Sequence, residues 1–162
     1  MTRKIGAGVL EIFHHTIASI ADPLIPTAAE LNAGTELTGF LTDGGLATPL
    51  DGSIVDAADM GDAFNKTSSG TYGGQPLTAE FFRETPTDTA WDALPRGTDG
   101  FFSVIRFGLA TPGTFAIGDD IELWDIEVVS RNRVDVARND MQRFNVECAV
   151  PGVPLEDFVI AA

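Results

Sequence analysis

The sequence predicts a mainly-β domain, and two observations lead to this prediction. Glycine and proline are frequent, with 17 and 9 copies in 162 residues, which favours short strands and turns over long helices. Apolar residues also recur at every second position in several segments, as in a strand with one buried face. The clearest alternation lies at the end of the domain, with apolar Phe144, Val146, Cys148 and Val150.

The centre of the predicted fold is a pair of strands at Phe101–Phe107 and Ile121–Val129. The connection between them, Gly108–Asp120, is rich in glycine and must turn. In the second strand the alternation slips by one residue near Trp124. Such a slip indicates a β-bulge, which would let Trp124 pack on an outer face of the sheet.

Composition limits the classes of function. A length of 162 residues predicts a single domain over residues 1–162, and the formal charge of −14 disfavours binding to nucleic-acid phosphates. The single cysteine, Cys148, excludes an internal disulfide and a zinc site made only of cysteines. No run approaches the roughly 20 apolar residues of a membrane span, so we expect a cytoplasmic protein in the cell that makes it.

The first strand is predicted at Val9–Thr16. Its adjacent histidines, His14 and His15, point to opposite faces of a strand and cannot readily share a metal ion. An arm follows at about residues 18–26, where two prolines favour an extended path. Leu24 and Ile25 on this arm are expected to dock on a neighbouring subunit.

A capping box begins the next segment, because Thr27 is followed three residues later by Glu30. It predicts a helix of little more than one turn, which Gly34 ends. A short strand is then predicted at Leu37–Leu41, before a turn at Asp43–Gly45.

Two strings of residues in this region resemble the N-terminal part of major tail (tail tube) proteins from long-tailed phages, the siphophages, of actinobacteria. They are Pro26-Thr-Ala-Ala-Glu-Leu-Asn-Ala-Gly-Thr-Glu-Leu-Thr38 and Phe40-Leu-Thr-Asp-Gly-Gly-Leu46. The layout of the remaining strands extends the resemblance over nearly the whole chain. It implies a β-sandwich or barrel with one flanking helix, assembled as hexameric rings that stack into a hollow tube.

The resemblance also implies partners and a location. The partners are copies of the chain itself and the tape measure, distal tail and tail terminator proteins. The location is the virion tail, after assembly in the host cytoplasm, and DNA passes through the lumen without specific binding. A long loop at about residues 61–76 would bridge to the next ring, with Phe64 and Tyr72 ordered only on assembly.

The second half of the chain adds a strand at Leu77–Phe82 and one short helix at about Thr87–Leu94. Thr87 is the expected N-cap, and Pro95 stops the helix. The helix places Ala90, Trp91 and Leu94 on one face, which should lie against the sheet.

The segment 131–143 carries four of the ten basic residues, Arg131, Arg133, Arg138 and Arg143. In isolation the segment suggests a phosphate-binding patch. Since it also holds two aspartates and the chain is acidic overall, we favour ion pairs between these arginines and neighbouring acidic surfaces. Arg131 and Arg133 are the predicted interface residues of this segment.

No sequence motif for catalysis is present: Gly-x-Ser-x-Gly, P-loop and His-Glu-x-x-His are all missing. We therefore expect no enzyme activity, no cofactor and no metal. Two alternatives to the tail tube remain. One is another ring-forming tail or secretion-tube protein, and the other is a small acidic ligand-binding β-sandwich.

Overall fold

The computed structural model describes residues 10–56, 67–135 and 137–161. This part of the chain is mainly β, as predicted. Its strands are β1 (Glu11–Thr16), β2 (Thr35–Glu36), β3 (Leu41–Ala47), β4 (Leu50–Asp56), β5 (Thr67–Gly74), β6 (Leu77–Phe82), β7 (Asp99–Ile105), β8 (Asp120–Val134), β9 (Arg143–Ala149) and β10 (Leu155–Val159). Its helices are α1 (Ala28–Asn32) and α2 (Thr89–Ala93), with 3-10 turns at Ile17–Ser19 and Thr38–Phe40.

The longest strand, β8, connects two parts of one antiparallel sheet. Its first half pairs with β7 and with β10, and β1 and β2 follow beyond β7. Its second half pairs with β9, which is followed by β6 and β3. We call these the first half-sheet (β10, β8, β7, β1, β2) and the second half-sheet (β8, β9, β6, β3).

Two hydrophobic cores cover the two faces of the first half-sheet. The inner core joins both half-sheets and α2, and contains Phe102 and Trp124. The outer core joins the first half-sheet to α1 and to the connection between β7 and β8, through Phe13, Leu31 and Phe115. Because both faces are covered, the central strands carry apolar side chains in both directions.

This double burial explains the slipped alternation in β8. Leu123 belongs to the outer core and the next residue, Trp124, to the inner core, where it is 1% exposed. The pairing of β7 with β8 shows no register shift around Trp124. The expected bulge and outer-face position at Trp124 are therefore wrong. The register shift in β8 lies further on, between Val128 and Ser130, opposite β9.

The predicted helix at Thr87–Leu94 exists but is shorter, since α2 covers Thr89–Ala93. Its N-cap is Asp88 rather than Thr87, and the Asp88 carboxylate accepts a hydrogen bond from the backbone N of Trp91 at 3.4 Å. A carboxylate at this position also interacts favourably with the helix dipole. Ala90 and Leu94 are buried, as their spacing predicted.

The segment after α1 differs from the expected strand and turn. A 3-10 turn occupies Thr38–Phe40, where a strand at Leu37–Leu41 was predicted. The predicted turn at Asp43–Gly45 lies inside β3, where the register against β6 shifts. At this shift β3 passes close to the backbone of β6, and Gly45 permits it because a Cβ there would lie 2.7 Å from the carbonyl oxygen of Glu80.

The capping box of α1 is present as predicted. Thr27 Oγ1 accepts a hydrogen bond from the backbone N of Glu30 at 3.3 Å, and Glu30 Oε2 accepts one from the backbone N of Thr27 at 2.8 Å. Glu30 Oε1 accepts a third from the backbone N of Ala21 at 2.9 Å, which ties the arm to the helix. The hydrogen bonds from Ala21 and Thr27 lower the pKa of Glu30.

We expect Thr27→Ala to lower the free energy of unfolding by about 1 kcal/mol, because the substitution removes the cap of α1. Urea denaturation followed by circular dichroism would measure the change. Thr87→Ala is a matched control, since Thr87 is exposed and does not cap α2. Equal losses for the two variants would contradict the capping role.

Candidate functional site

Three arginine side chains surround the ring of Trp91 on α2. The guanidinium of Arg131 lies 3.6 Å from the ring centroid, that of Arg83 4.2 Å and that of Arg133 5.5 Å. The Trp91 ring also meets Phe144 edge-on, with 5.0 Å between the centroids. We call Arg83, Trp91, Arg131 and Arg133 the Trp91 cluster. Because guanidinium groups are attracted to the indole face, this packing holds three positive charges together.

The three arginines of the Trp91 cluster differ in how they are bound. Arg131 Nη1 donates to the carbonyl oxygen of Trp91 at 2.6 Å. Arg83 Nε donates to the Asp88 carboxylate at 2.7 Å. Arg133 is exposed, and no carboxylate of the described residues forms a salt bridge with it. The cluster thus leaves the charge of Arg133 open to solvent.

These contacts refine the expectation for Arg131 and Arg133. The spacing of two residues on β8 places both side chains on one face, as a strand requires. Arg131 is engaged within its own chain, whereas Arg133 is available to another molecule. Arg83 carries no signal in the sequence, since only the order β6–β9–β8 brings it near the other two. The role of Arg131 and Arg133 in a subunit interface stays a prediction.

An apolar groove lies beside the N-terminal arm, and we call it the arm groove. Its volume is about 220 Å³, and it is lined by Pro23, Leu24, Phe101, Leu123, Asp125, Val153, Pro154 and Leu155. Val153 is 88% exposed and Leu24 72% exposed, so large apolar side chains at the groove face solvent. Ile25 is exposed as well. Leu24 and Ile25 are therefore accessible to a neighbouring subunit, although that contact stays a prediction.

Three carboxylates on β7 and β8 lie on the same face as the groove residues of these strands. Asp99 and Glu127 are directly opposite each other in the sheet, and Asp125 is two residues before Glu127. No basic side chain in the described ranges forms a salt bridge with any of them. Burial, and then the charge of Asp99, raise the pKa of Asp125. The arm groove thus combines apolar surface with uncompensated negative charge.

The second half-sheet has one face in the inner core and one polar face. The polar face forms an open cleft of about 400 Å³, whose side chains include Thr78, Glu80, Ser130, Asn132, Asn145 and Glu147. Ser130 Oγ donates to Glu147 Oε2 at 3.3 Å, and Arg143 Nη1 donates to Glu80 Oε1 at 2.8 Å. Thr78, Asn145 and Glu147 are exposed, so nothing in the described part of the chain covers these side chains.

The hairpin of β4 and β5 pairs with no other strand among the described residues. Within the loop or hairpin tip expected at about 61–76, residues Thr67–Gly74 form β5. Glycine and serine indicated a loop there, but the ladder with β4 uses backbone hydrogen bonds that small residues can also make. Tyr72 lies in β5 opposite Gly52. Phe64 lies outside the described residues, and the roles of Phe64 and Tyr72 on assembly stay predictions.

Histidine and cysteine form no catalytic arrangement in the part of the chain that the structure describes. His14 and His15 are buried on opposite faces of β1, and burial lowers the pKa of both, that of His15 to about 4. Burial raises the pKa of Cys148 to about 12, which keeps its thiol protonated. Within the described ranges, no three His, Cys, Asp or Glu side chains are placed to bind a metal ion. No helix of the described residues is long and apolar enough to span a membrane.

The sequence matches the family model of the phage tail tube protein over residues 2–162. The fold is similar to that of a chain in the cryo-EM structure of the anti-feeding prophage (AFP) baseplate, 6-fold symmetrised. The TM-score is 0.58 at 10% identity, with 98% of this chain and 100% of that chain covered. No curated protein matches the sequence. At this identity the structural likeness shows the fold and no more, whereas the family match covers nearly every residue and shows the family. The chain therefore belongs to the phage tail tube protein family.

Proposed function

We propose that this chain, a structural protein of a phage tail, is the repeating subunit of the tail tube. Copies assemble into hexameric rings, and the rings stack into a hollow tube through which phage DNA passes. The observation that carries this proposal is the family match over residues 2–162. The six-fold symmetrisation of the baseplate that holds a chain of similar fold supports the ring number.

The surfaces of the subunit support self-assembly. The arm groove exposes large apolar side chains, and the Trp91 cluster exposes positive charge on a chain whose formal charge is −14. These two surfaces differ from each other, so a contact between them is head-to-tail. Head-to-tail contacts generate closed rings or open helices rather than symmetric dimers.

The polar face of the second half-sheet is the surface best suited to line the channel. Its accessible side chains are polar, and Glu147 adds negative charge, whereas the charge of Glu80 is paired with Arg143. A wall of the same sign as the DNA phosphates lets DNA slide with little adhesion. DNA would therefore pass without specific binding.

Light scattering on freshly purified protein, with negative-stain images of the same sample, tests assembly. We expect rings or tubes with a hollow centre. A monodisperse monomer at every concentration would contradict self-assembly.

Labelling of assembled tubes tests which face lines the channel. The variant Asn145→Cys carries its new thiol on the polar face, and the native Cys148 is buried and does not compete. A small maleimide–gold label on Asn145→Cys should appear inside the tube, and the same label on Arg138→Cys provides a comparison at another exposed position. Label from Asn145→Cys on the outer wall would contradict the channel assignment.

Partners and location follow from the same proposal. The tube contacts the tape measure, distal tail and tail terminator proteins, and forms part of the virion after assembly in the host cytoplasm. The subunit has no enzymatic role, and an actinobacterial host stays a prediction from the resemblance.

A second candidate function is a ring-forming component elsewhere in a tail or secretion tube, which the likeness to a baseplate chain favours. Single rings that do not stack would support that function over a tube. The ligand-binding sandwich would instead give a stable monomer whose melting temperature rises with ligand.

A further inference from the structure

We infer that the Trp91 cluster of one subunit docks on the arm groove of the next, with Arg133 facing Asp99 and Asp125. This inference deepens the proposed function and rests on it, because it names the two surfaces that join copies of this chain. The occupant of the groove is thus a second copy of the chain.

The arm groove has the properties of a surface that a partner covers. Its apolar side chains Leu24 and Val153 are exposed, and burying them against a partner lowers the free energy of the complex. Asp125 lines the same groove, with Asp99 close enough for their like charges to interact. A purely apolar partner would bury Asp125 without a counter-charge, which is unfavourable. The groove therefore fits a partner surface that is both apolar and positively charged.

The Trp91 cluster has this combination. An indole and stacked guanidinium groups present flat, weakly hydrated surfaces, and guanidinium also pairs with carboxylates through two parallel hydrogen bonds. Arg131 and Arg83 are held by Trp91 and Asp88, so they stiffen the cluster. Arg133 lies furthest from the ring, at 5.5 Å, and donates to no group within the described ranges, so its hydrogen-bond donors are available to another molecule.

Charged groups that already form salt bridges within the subunit are less available for a contact between subunits. Two strand carboxylates already have arginine partners in their own chain: Glu80 pairs with Arg143, and Glu122 with Arg106. Asp99, Asp125 and Glu127 have no such partner in the described ranges. Arg133 likewise has no carboxylate partner there. The unpaired charges of opposite sign lie on two different surfaces of one molecule, as a head-to-tail contact requires.

Charge reversal tests the contact. We expect Arg133→Glu and Asp125→Lys each to raise the protein concentration needed for assembly by about tenfold or more, measured by sedimentation velocity. Circular dichroism and melting curves would show that both variants are folded. Arg138→Glu is the matched control, because it makes the same change of charge at an exposed arginine outside the Trp91 cluster. It should assemble as the wild type does.

Mixing the two variants gives the sharper result. Where the two chains alternate in a ring, the carboxylate introduced by Arg133→Glu faces the ammonium introduced by Asp125→Lys, and the next contact keeps its native charges. In the double variant Arg133→Glu/Asp125→Lys, every contact has its charges exchanged. We therefore expect the equal mixture and the double variant to recover assembly at least in part. Recovery would not occur if the two residues acted at separate contacts.

The outcomes separate this inference from the proposed function. If the wild type forms rings or tubes and neither reversal weakens them, the docking contact is wrong and the tube function stands. If both reversals weaken assembly but neither the mixture nor the double variant recovers it, Arg133 and Asp125 do not pair with each other. The docking contact is then wrong in this case too. A wild type that never assembles would overturn the proposed function, and this inference with it.

Discussion

Replacement of Trp124 by alanine is expected to lower the free energy of unfolding by about 3–5 kcal/mol, the usual cost of removing a large buried aromatic side chain. Trp124 is 1% exposed and lies opposite Phe102, which is fully buried. Its indole Nε1 also donates to Glu122 Oε2 at 3.1 Å. Because the inner core joins both half-sheets, their strands cannot close the cavity without moving against each other.

Urea denaturation of the wild type and the variant measures this loss. Val129→Ala is a suitable control, because Val129 lies on the same strand but is 45% exposed. We expect it to cost less than about 1 kcal/mol. If Trp124→Ala cost no more than Val129→Ala, Trp124 would be exposed to solvent, and its placement in the inner core would be wrong.

Acidification from pH 7 towards pH 4 is expected to destabilise the fold through the two histidines of β1. Burial lowers the pKa of His14 and of His15, and the charge of His14 lowers that of His15 further, to about 4. In the unfolded chain both groups return to about 6.5, so the unfolded state takes up protons first. The contribution of the two neutral histidines to the free energy of unfolding is therefore complete above pH 6.5, and it is lost as the pH falls towards 4. For His15 alone, the shift corresponds to about 3 kcal/mol.

The structure gives the protonated rings few ways to be accommodated. His15 Nε2 is hydrogen-bonded to Ser103 Oγ, while His15 Nδ1 and His14 Nε2 are buried and have no hydrogen-bond partner among the described residues. A Cβ on Gly34 would clash with the His15 ring, which shows how closely the backbone packs there. A charged ring would therefore be poorly solvated.

Unfolding free energies at pH 7, 5.5 and 4.5 measure the histidine effect. The double variant His14→Gln/His15→Gln should be less dependent on pH between 6.5 and 4.5 than the wild type. Glu30→Gln is the comparison for carboxylates, because the lowered pKa of Glu30 places most of its effect at pH values below 4.5. A wild-type profile that is flat between pH 6.5 and 4.5 would contradict the effect.

Local signals in the sequence predicted much of the fold. The alternation at Leu77–Phe82 matches β6, and the alternation from Phe144 matches β9, since each strand has one face buried. The capping box at Thr27 and Glu30 predicted α1, because both of its hydrogen bonds lie within three residues. Such patterns depend only on neighbours along the chain.

Features that depend on distant segments could not be predicted in this way. The orientation of Trp124 depends on a second core, which α1 and the connection after β7 build on the other side of the sheet. The Trp91 cluster requires α2, the end of β8 and Arg83 to meet, and no spacing in the sequence shows this. The glycine and serine residues at 67–74 did not indicate a strand, yet β5 forms there, because backbone pairing with β4 does not depend on large side chains.

The pairing of β1 with β7 has a consequence for synthesis of the protein. Glu11 in β1 lies opposite Ile105 in β7, which comes much later in the sequence. During translation β1 therefore leaves the ribosome well before β7 has been synthesised. Until then β1, with apolar side chains on both faces, has unpaired backbone groups that can join another chain. Only a polypeptide that already includes β7 can pair β1 within the sheet. Chains that end before β7 should aggregate or be degraded, so folding itself keeps incomplete subunits out of the virion.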